Sequence, residues 1–402
     1  MTRLPYPVLD ADTHYYEPRD AFTRHLDRKH WEEGIRIVRD ERGREQILVG
    51  HRLYRMVVPE FENTTKPGAL REMLKRMAEG DFKESDAREP IQPQYRDRTA
   101  RLATMDQQGV EACVILPTIA IGIEHYMRDN VSQTYRNLDA FNRWLEEDWG
   151  FGPDGRIYAV PLVSLLEVDH AVAQLESLLD RGARVIHIRP GPTGSGYSPA
   201  DPIYDPFWAR VNEAGVPVAC HMSESGYNEF LSPHWGEFPY PTSHKMSALQ
   251  WTSFVGDRPI MDMVAALILH NLFGRYPNIQ VMSVENGSLW VSYLLKQMDK
   301  MRGMGRNGPW LGGRLTDKPS DVFKQHVSVA PYHEEDLVAL ARLIGPGNVL
   351  FGSDYPHPEG LANPLDFADA LRGLTDTEIR SIMSDNADRL LGGVLRAATV
   401  AS

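Results

Sequence analysis

Cysteine is scarce in this sequence: only Cys113 and Cys220 occur among 402 residues, and each lies inside an apolar run. A disulfide framework is therefore not expected, and both thiols are predicted to be buried and reduced. The sequence also lacks an apolar run of about 18 residues or more, so no transmembrane helix is expected. No secretory leader precedes the first predicted strand, and we therefore expect a cytoplasmic protein.

Positive charge is in deficit. Lysine and arginine number 43 against 55 aspartates and glutamates, which gives a formal net charge of −12. Nucleic acids and anionic membranes bind basic patches, so neither is expected as a partner. A hydrophobic fraction of 42% and a charged fraction of 24% are typical of a globular protein with an ordinary core. The partners that we expect are a small-molecule substrate and a second copy of the chain in a homo-oligomer.

The feature that stands out is an acidic strand end close to the N-terminus. The apolar run Tyr6–Leu9 leads directly into three carboxylates and a histidine within residues 10–17. The alternation predicts a strand with a polar C-terminal tip. Residues two apart on a strand share a face, so Asp12 and His14 should point the same way, and Glu17 follows where the chain can turn back. One oxygen and one nitrogen ligand on a face indicate half of a metal site.

Residues 18–94 break the rhythm of the remaining chain. We predict a helix over 20–28, a hairpin region over 35–38 and 46–58, and a charged segment to residue 90. Regular connections between a strand and the next helix are far shorter than this stretch. The sequence therefore predicts two units, a main domain of residues 1–17 and 95–402 and an insertion or cap of residues 18–94.

Strands and helices alternate regularly from about Tyr95 onward. Together with the first strand, the pattern predicts eight strands, over residues 6–13, 112–116, 157–163, 184–188, 216–221, 279–284, 326–329 and 349–352. Apolar strands that alternate with amphipathic helices indicate a parallel sheet, and eight such units indicate a (β/α)8 TIM barrel of the α/β class. A doubly wound open sheet is the alternative. A barrel of this type has its active site at the C-terminal strand ends.

Five of the eight predicted strands end in residues that ligate metals or bind acids. These residues are Asp12, His14 and Glu17 after the first strand, His187 and Arg189 after the fourth, His221 after the fifth, Glu285 after the sixth, and Asp354 and His357 after the eighth. Each has an ordinary explanation alone; for example, Glu285 could cap a helix and Asp354 could form a turn. Packing alone does not explain the whole set, because it would favour apolar side chains at these positions. The set predicts a site for one or two divalent Zn, Mn or Fe ions.

The order of these motifs resembles the amidohydrolase superfamily. The Asp-x-His pair, the run Val218-Ala219-Cys220-His221 and the run 351–356 (Phe-Gly-Ser-Asp-Tyr-Pro) carry the likeness. It extends over residues 5–15 and 95–390 and is closer to the branch that includes aminocarboxymuconate-semialdehyde decarboxylase and the resorcylate-type decarboxylases. The resemblance implies a metal ion held by Asp12, His14, His221 and Asp354, with a bound water activated for attack or for proton delivery.

Two positions depart from that family pattern. Decarboxylases of this branch have a catalytic histidine at the end of the sixth strand, where this chain has Glu285. His187 stands where two-metal amidohydrolases have a bridging lysine. A second metal ion could therefore be held by His187 with Glu17 or Glu285, and His357 lies nearby in the predicted site.

The resemblance implies hydrolysis, or the related decarboxylation, of a small organic substrate. Asp354 is predicted to take the proton of the attacking water, and Glu285 and His187 are further candidate catalytic residues. Arg189 is predicted to bind a substrate carboxylate, because its planar guanidinium suits that group. His125, on the loop after the second strand, is a second candidate for substrate binding.

Other functions stay open at the level of the sequence. A non-haem di-iron or mixed Fe/Mn monooxygenase would use the same ligands and would need electrons from a separate electron-transfer partner. A non-enzymatic barrel whose metal is structural or lost is a further alternative. The aromatic segment 222–260 is interpreted either as a lid over the substrate or as a dimer contact.

Overall fold

A computed structural model describes residues 4–59, 61–81, 83–393 and 395. The strands of this part of the chain are β1 Leu9–Tyr15, β2 Ile35–Arg39, β3 Glu45–Val49, β4 Arg52–Leu53, β5 Asn63–Thr65, β6 Arg88–Pro90, β7 Ala112–Pro117, β8 Ile157–Ala159, β9 Leu162–Val163, β10 Ile186–Ile188, β11 Val218–His221, β12 Val281–Val284 and β13 Val327–Ala330.

The α-helices of the same residues are α1 Leu70–Glu79, α2 Glu84–Ala87, α3 Arg98–Gln108, α4 Glu124–Met127, α5 Val131–Asp148, α6 Val168–Asp180, α7 Asp205–Ala214, α8 Tyr227–Leu231, α9 Ala248–Phe254, α10 Asp257–Leu269, α11 Leu272–Arg275, α12 Leu289–Met304, α13 Pro319–His326, α14 Leu337–Ile344, α15 Asp376–Arg380 and α16 Asn386–Leu390. No helix within these described ranges is long and apolar enough to cross a lipid bilayer.

Parallel pairing dominates in the described chain outside residues 18–94. One parallel sheet has the order β1-β7-β8, and a second has the order β13-β12-β11-β10-β9. Helices follow most of these strands along the chain, which confirms the predicted α/β class with parallel strands. Between residues 18 and 94 the pairing is antiparallel instead, with β2-β3-β4 and β5-β6 as small separate sheets.

The predicted third strand is interrupted. Residues 157–159 form β8 and pair with β7, whereas residues 162–163 form β9 and pair with β10. Pro161 lies in the gap and has no N–H to donate to a neighbouring strand, which is the physical reason for the break. The two parallel sheets therefore meet along the chain at this proline.

The predicted eighth strand does not form a regular ladder among the described residues. Val349 makes a single parallel bridge with Val329, and Tyr355 makes one with Thr13. Between these bridges Asp354 has a φ of 55°, in the left-handed region, which turns the chain out of the extended conformation. The segment 349–355 nevertheless lies between β13 and β1, because the Ala11 N–H also donates to the Phe351 carbonyl at 2.8 Å.

The prediction of a helix over residues 20–28 is wrong. The backbone there forms isolated turns, with the N–H of Ala21 donating to the Pro18 carbonyl, and a 3₁₀-helix follows at Arg28–Glu33. The buried Phe22 ring stacks against Phe141 of α5 at 5.5 Å between ring centres, so tertiary packing fixes this segment.

The core lies between the parallel strands and the helices that flank them. Every residue of β1 and of β7 is buried, as expected for strands covered on both faces. Tyr15 at the end of β1 packs its ring on Trp144 and Trp149 at 5.6 and 5.3 Å. This rigid packing fixes the strand end from which Asp12 and His14 project.

Candidate metal centre

Two histidines from different strands face each other at the centre of the site. The Nε2 atoms of His14 on β1 and His221 on β11 are 3.1 Å apart, and both side chains are buried. The Nδ1 atom of His14 lies 3.2 Å from the Pro117 carbonyl, and that of His221 lies 2.7 Å from the Met222 carbonyl. A carbonyl only accepts, so each Nδ1 carries a proton and the two Nε2 atoms are left facing each other, with a lone pair on Nε2 of the neutral His14 ring. A cation between them satisfies both.

Three carboxylates surround these two nitrogens. Asp12 Oδ1 lies 3.4 Å from His14 Nε2, and Asp354 Oδ1 lies at the same distance from that atom. Glu285 Oε2 lies 2.8 Å from His221 Nε2 and 3.7 Å from His14 Nε2. Two overlapping groups of possible ligands result within the described residues: His14, Glu285, Asp354 and His357, and Asp12, His14 and His221.

The Asp12 carboxylate shows directly that a positive partner fits here. Its Oδ1 atom is buried and makes no hydrogen bond with any described residue. A buried carboxylate oxygen without a hydrogen bond is costly, because the bonds to water that it lost on burial are not replaced. Imidazole nitrogens with carboxylate oxygens, and no thiolate, form a donor set that suits Mn, Zn or Fe. The residues therefore fit a divalent cation.

The charges of the site are crowded. Burial, with the neighbouring Glu285 carboxylate, raises the pKa of Asp12 to about 8 despite the lowering effect of His221. Burial and the Glu285 charge also hold the pKa of Asp354 well above its usual range. His221 has a pKa raised to about 9, since the nearby Glu285 carboxylate outweighs burial. Several buried carboxylates this close together repel one another, so a cation bound among them would stabilise the site.

Two of the carboxylates sit on strained backbone. Glu285 has a φ of 52° and Asp354 a φ of 55°, and only one other non-glycine residue of the described chain, Asn271, has a positive φ. The left-handed conformation is unfavourable for residues with a Cβ atom. It is held here by surrounding contacts, for example by the Asp354 N–H, which donates to the Asp12 carbonyl at 2.8 Å. Strain of this kind is concentrated at functional sites.

His357 holds Asp354 in place. Its Nδ1 lies 2.8 Å from Asp354 Oδ1, and its Nε2 lies 2.9 Å from the Thr118 hydroxyl. The His357 ring also stacks on the His14 ring at 4.0 Å between centres. The imidazole therefore fixes the orientation of the Asp354 carboxylate against the two central histidines.

Glu17 and His187 are not brought into the two ligand groups. The Glu17 carboxylate accepts hydrogen bonds from the N–H groups of Ile119 and Ala120 at 2.8–3.1 Å, so it anchors the turn after β7. His187 is buried, and its Nε2 has no hydrogen-bond partner among the described residues. Burial and the His221 charge lower the pKa of His187 to about 3, so the ring is neutral.

The two predicted substrate-binding residues lie apart from the central cluster. The Arg189 guanidinium is buried, donates to the Pro192 carbonyl at 2.8 Å, and lies 3.9 Å from Glu124. His125 pairs with Glu229 at 2.9 Å. Neither residue lines the large cavity that opens onto the histidines.

That cavity has a volume of about 500 Å³ and is the natural place for a substrate. His14, His221, Glu285 and His357 line one part of it. Apolar side chains from 56–70 and from 246–255 line other parts, so both irregular segments of the sequence reach the site.

Sequence reasoning missed three contributors. Asp10 is fully buried, and its Oδ1 accepts the N–H groups of Asp12 and Ser353, which ties the first and eighth strand ends together. Thr118 binds His357, and Glu359 lines the cavity. The sequence signal for Thr118 is its position two residues beyond a predicted strand end, and the signal for Glu359 is its position two residues after His357.

The chain matches a family model and solved structures. A model described as Amidohydrolase matches residues 10–393. An amidohydrolase, map2389c, of Mycobacterium avium subsp. paratuberculosis K-10 is 38% identical, with a TM-score of 0.86 over 97% of this chain and 100% of that one. No curated protein matches significantly.

Two decarboxylases share the fold at much lower identity. The 5-carboxyvanillate decarboxylase LigW of Sphingomonas paucimobilis is 18% identical, with a TM-score of 0.59 over 74% of this chain and 84% of that one. A dihydroxybenzoic acid decarboxylase of Polaromonas sp. JS666, solved with bound manganese, is 13% identical, with a TM-score of 0.60 over 96% of this chain and 97% of that one. The family match over nearly the whole chain confirms the predicted enzyme class, a metal-dependent hydrolase or lyase. The chain belongs to the amidohydrolase family.

Proposed function

We propose that this enzyme hydrolyses a bond at a carbonyl carbon of a small organic substrate, with a divalent cation and an activated water. The observation that carries the proposal is the convergence of His14 and His221 with three carboxylates, one of which has an oxygen without a partner. Such a set at the floor of a 500 Å³ cavity is the arrangement that metal-assisted hydrolysis needs.

The fold proposal is a closed (β/α)8 barrel capped by residues 18–94. Two bridges support closure, Val329 with Val349 and Thr13 with Tyr355, because they join the two parallel sheets through the segment 349–355. The continuity of β8 and β9 joins the same sheets on the other side. The cap is supported by Met56, which lines the cavity together with neighbours of its segment.

The proposed ligands are Asp12, His14, His221, Glu285 and Asp354. A divalent cation held by them would polarise a substrate carbonyl and lower the pKa of a water molecule. Manganese has support from the relative solved with that ion, although zinc and iron suit the same donors. His187 is the proposed place for a partner of a second ion, because its buried Nε2 is unsatisfied in the described structure.

Asp354 is proposed to move the proton. Its carboxylate takes the proton of the attacking water and later delivers it to the leaving group. His357, at 2.8 Å, keeps the accepting oxygen aimed at the reacting centre, and Thr118 holds His357 in turn.

Decarboxylation is the second candidate. It is favoured by the manganese-bound decarboxylase that shares the fold. It is weakened by Glu285, which occupies the strand end where the resemblance implies a catalytic histidine. No comparison supports the di-iron monooxygenase, so that alternative keeps only the ligand-rich sequence in its favour.

The test is reconstitution. Protein depleted of metal is incubated with Mn²⁺, Zn²⁺ or Fe²⁺, the bound ion is counted by elemental analysis, and ester or amide cleavage is compared with CO₂ release from aromatic acids. We expect metal-dependent cleavage of the esters or amides. Release of CO₂ without any ester or amide cleavage would favour the second candidate, and full activity without metal would reject both.

A further inference from the structure

The cavity above the metal centre is walled by apolar side chains. Many of them come from two separate segments, one around Met56 and Leu70 and the other around Trp251 and Phe254. A volume of about 500 Å³ accommodates a substrate with a body larger than a single aromatic ring. The cavity walls therefore favour binding of a largely apolar substrate, because its apolar surface is removed from water.

Lysine and arginine are missing from the described lining of this cavity. Among the described residues that line it there is no lysine or arginine, whereas Glu224, Glu285 and Glu359 all line it. An anionic substrate group that does not bind the metal ion would lose its hydration in this cavity and find no lysine or arginine to replace it. It would also approach carboxylates, which repel it.

Two arginines near the large cavity are engaged elsewhere. Arg189 contacts the Pro192 carbonyl and lies close to Glu124, which line a different, much smaller cavity. Arg128 pairs with Glu229 at 2.6 Å beside a second cavity of about 280 Å³. Neither guanidinium can reach the large cavity without giving up these partners.

Glu359 is the carboxylate best placed to act on a substrate. Its carboxylate lines the large cavity, where it interacts with its own backbone N–H and with the neighbouring His357, and burial raises its pKa above the ordinary value. It is only two residues beyond His357, which positions Asp354. Glu224 differs, since its Oε1 already accepts the N–H of Gly226 at 2.8 Å.

We infer that the large cavity selects an uncharged substrate with an apolar body, and that Glu359 disfavours anionic groups on that body. The inference rests on the proposed function in one respect: hydrolysis identifies the reacting group of the substrate as a carbonyl. It departs from the sequence-based expectation of a carboxylate-bearing substrate, which depended on Arg189 reaching the site.

The test compares two esters of the same shape. Ethyl 4-carbamoylbenzoate is neutral, and ethyl hydrogen terephthalate carries a carboxylate where the other has an amide. We expect kcat/KM of the Mn²⁺-loaded enzyme to favour the neutral ester by at least about tenfold. Glu359→Gln should narrow that ratio by about threefold or more, because it removes the repelling charge. Glu359→Asp should retain the ratio, and Glu41→Gln, at an exposed site far along the chain in the β2-β3 turn, is the matched control.

Binding separates this inference from the proposed function. Terephthalamide and 4-carbamoylbenzoate are titrated calorimetrically into the same Mn²⁺-loaded protein. Tighter binding of the diamide without hydrolysis of either ester would reject the proposed hydrolysis and leave the charge selection standing. Equal or better binding and turnover of the anionic members would overturn the charge selection even if hydrolysis is observed. If the ratio of kcat/KM for the neutral ester to that for the anionic ester is the same in Glu359→Gln and wild type, Glu359 does not contribute to the charge selection.

Discussion

The Nε2 atoms of His14 and His221 lie 3.1 Å apart although 206 residues separate the two histidines in the chain. Each ring is oriented by a backbone carbonyl at its Nδ1 atom, so neither ring is free to turn away. Two lone pairs held this close need a proton or a cation between them. This contact makes metal binding the first property to test.

Removal of one histidine should abolish metal binding without unfolding the chain. For His221→Ala we expect the bound Mn²⁺ to fall to background and the increase in Tm on addition of Mn²⁺ to disappear. Ligand at about 100 times its Kd stabilises a protein by about 2.7 kcal/mol, so the wild-type shift is measurable by calorimetry. His51→Ala, at an exposed position, is the control. A His221→Ala variant with a full complement of metal would contradict the ligand assignment.

Asp354 and His357 should differ in kinetic effect. Asp354→Asn should lower kcat by a factor of about 10² to 10⁴, the usual contribution of a proton-transfer group. His357→Gln should lower it less and shift the pH profile, since the amide cannot hold the Asp354 carboxylate in the same way. Rates across pH 5–9 measure both effects, with Asp317→Asn as an exposed control. Identical pH profiles for wild type and His357→Gln would reject the positioning role.

Glu17 should behave as a structural residue. Its carboxylate accepts N–H groups of Ile119 and Ala120, and the amide of Glu17→Gln would place a donor against them. We expect a loss of about 1–3 kcal/mol in the free energy of unfolding, measured by urea denaturation of metal-free protein. The metal content should stay at the wild-type value. A variant that is as stable as wild type but loses metal would instead show that Glu17 is a ligand.

A methyl group added at Gly352 should disturb the candidate metal centre by displacing Asp12. A Cβ atom at Gly352 would lie 2.7 Å from the Asp12 Cβ, too close for both to keep their positions. Gly352→Ala should therefore displace Asp12 and weaken Mn²⁺ binding by at least about tenfold in a direct titration, as loss of a ligand's support does. Gly347→Ala is the matched control, because a Cβ atom there meets nothing within 4 Å. Unchanged affinity in Gly352→Ala would show that Asp12 is not needed.

Glu229 should make stability sensitive to acid. The hydrogen bond with His125 and the charge of Arg128 lower the pKa of Glu229 to about 2, below its ordinary 4.5. A carboxylate with a depressed folded-state pKa stabilises the protein above its unfolded pKa and loses that contribution as pH falls. The free energy of unfolding of wild type should exceed that of Glu229→Gln by about 1 kcal/mol at pH 7, since solvent screens this pair, and the difference should be lost as pH falls from about 4.5 to about 2. Urea denaturation at pH 7 and pH 4 measures it; a difference independent of pH would exclude the charge as its cause.

The sequence by itself determined the parallel α/β class and the family. Alternating apolar strands and amphipathic helices carry that information locally, and the Asp-x-His pair and the 351–356 motif carry the likeness. It also placed Asp12, His14, His221, Glu285 and Asp354 at strand ends, because parallel strands bring their C-terminal ends to one side.

Only the tertiary structure decided which of those side chains meet. Glu17 and Arg189 follow predicted strand ends just as the converging residues do, yet backbone groups and Glu124 hold them elsewhere. The left-handed backbone at Glu285 and Asp354, and the absence of lysine and arginine from the described cavity lining, are likewise invisible in the sequence. Side-chain direction depends on contacts between segments hundreds of residues apart, and local pattern does not encode those contacts.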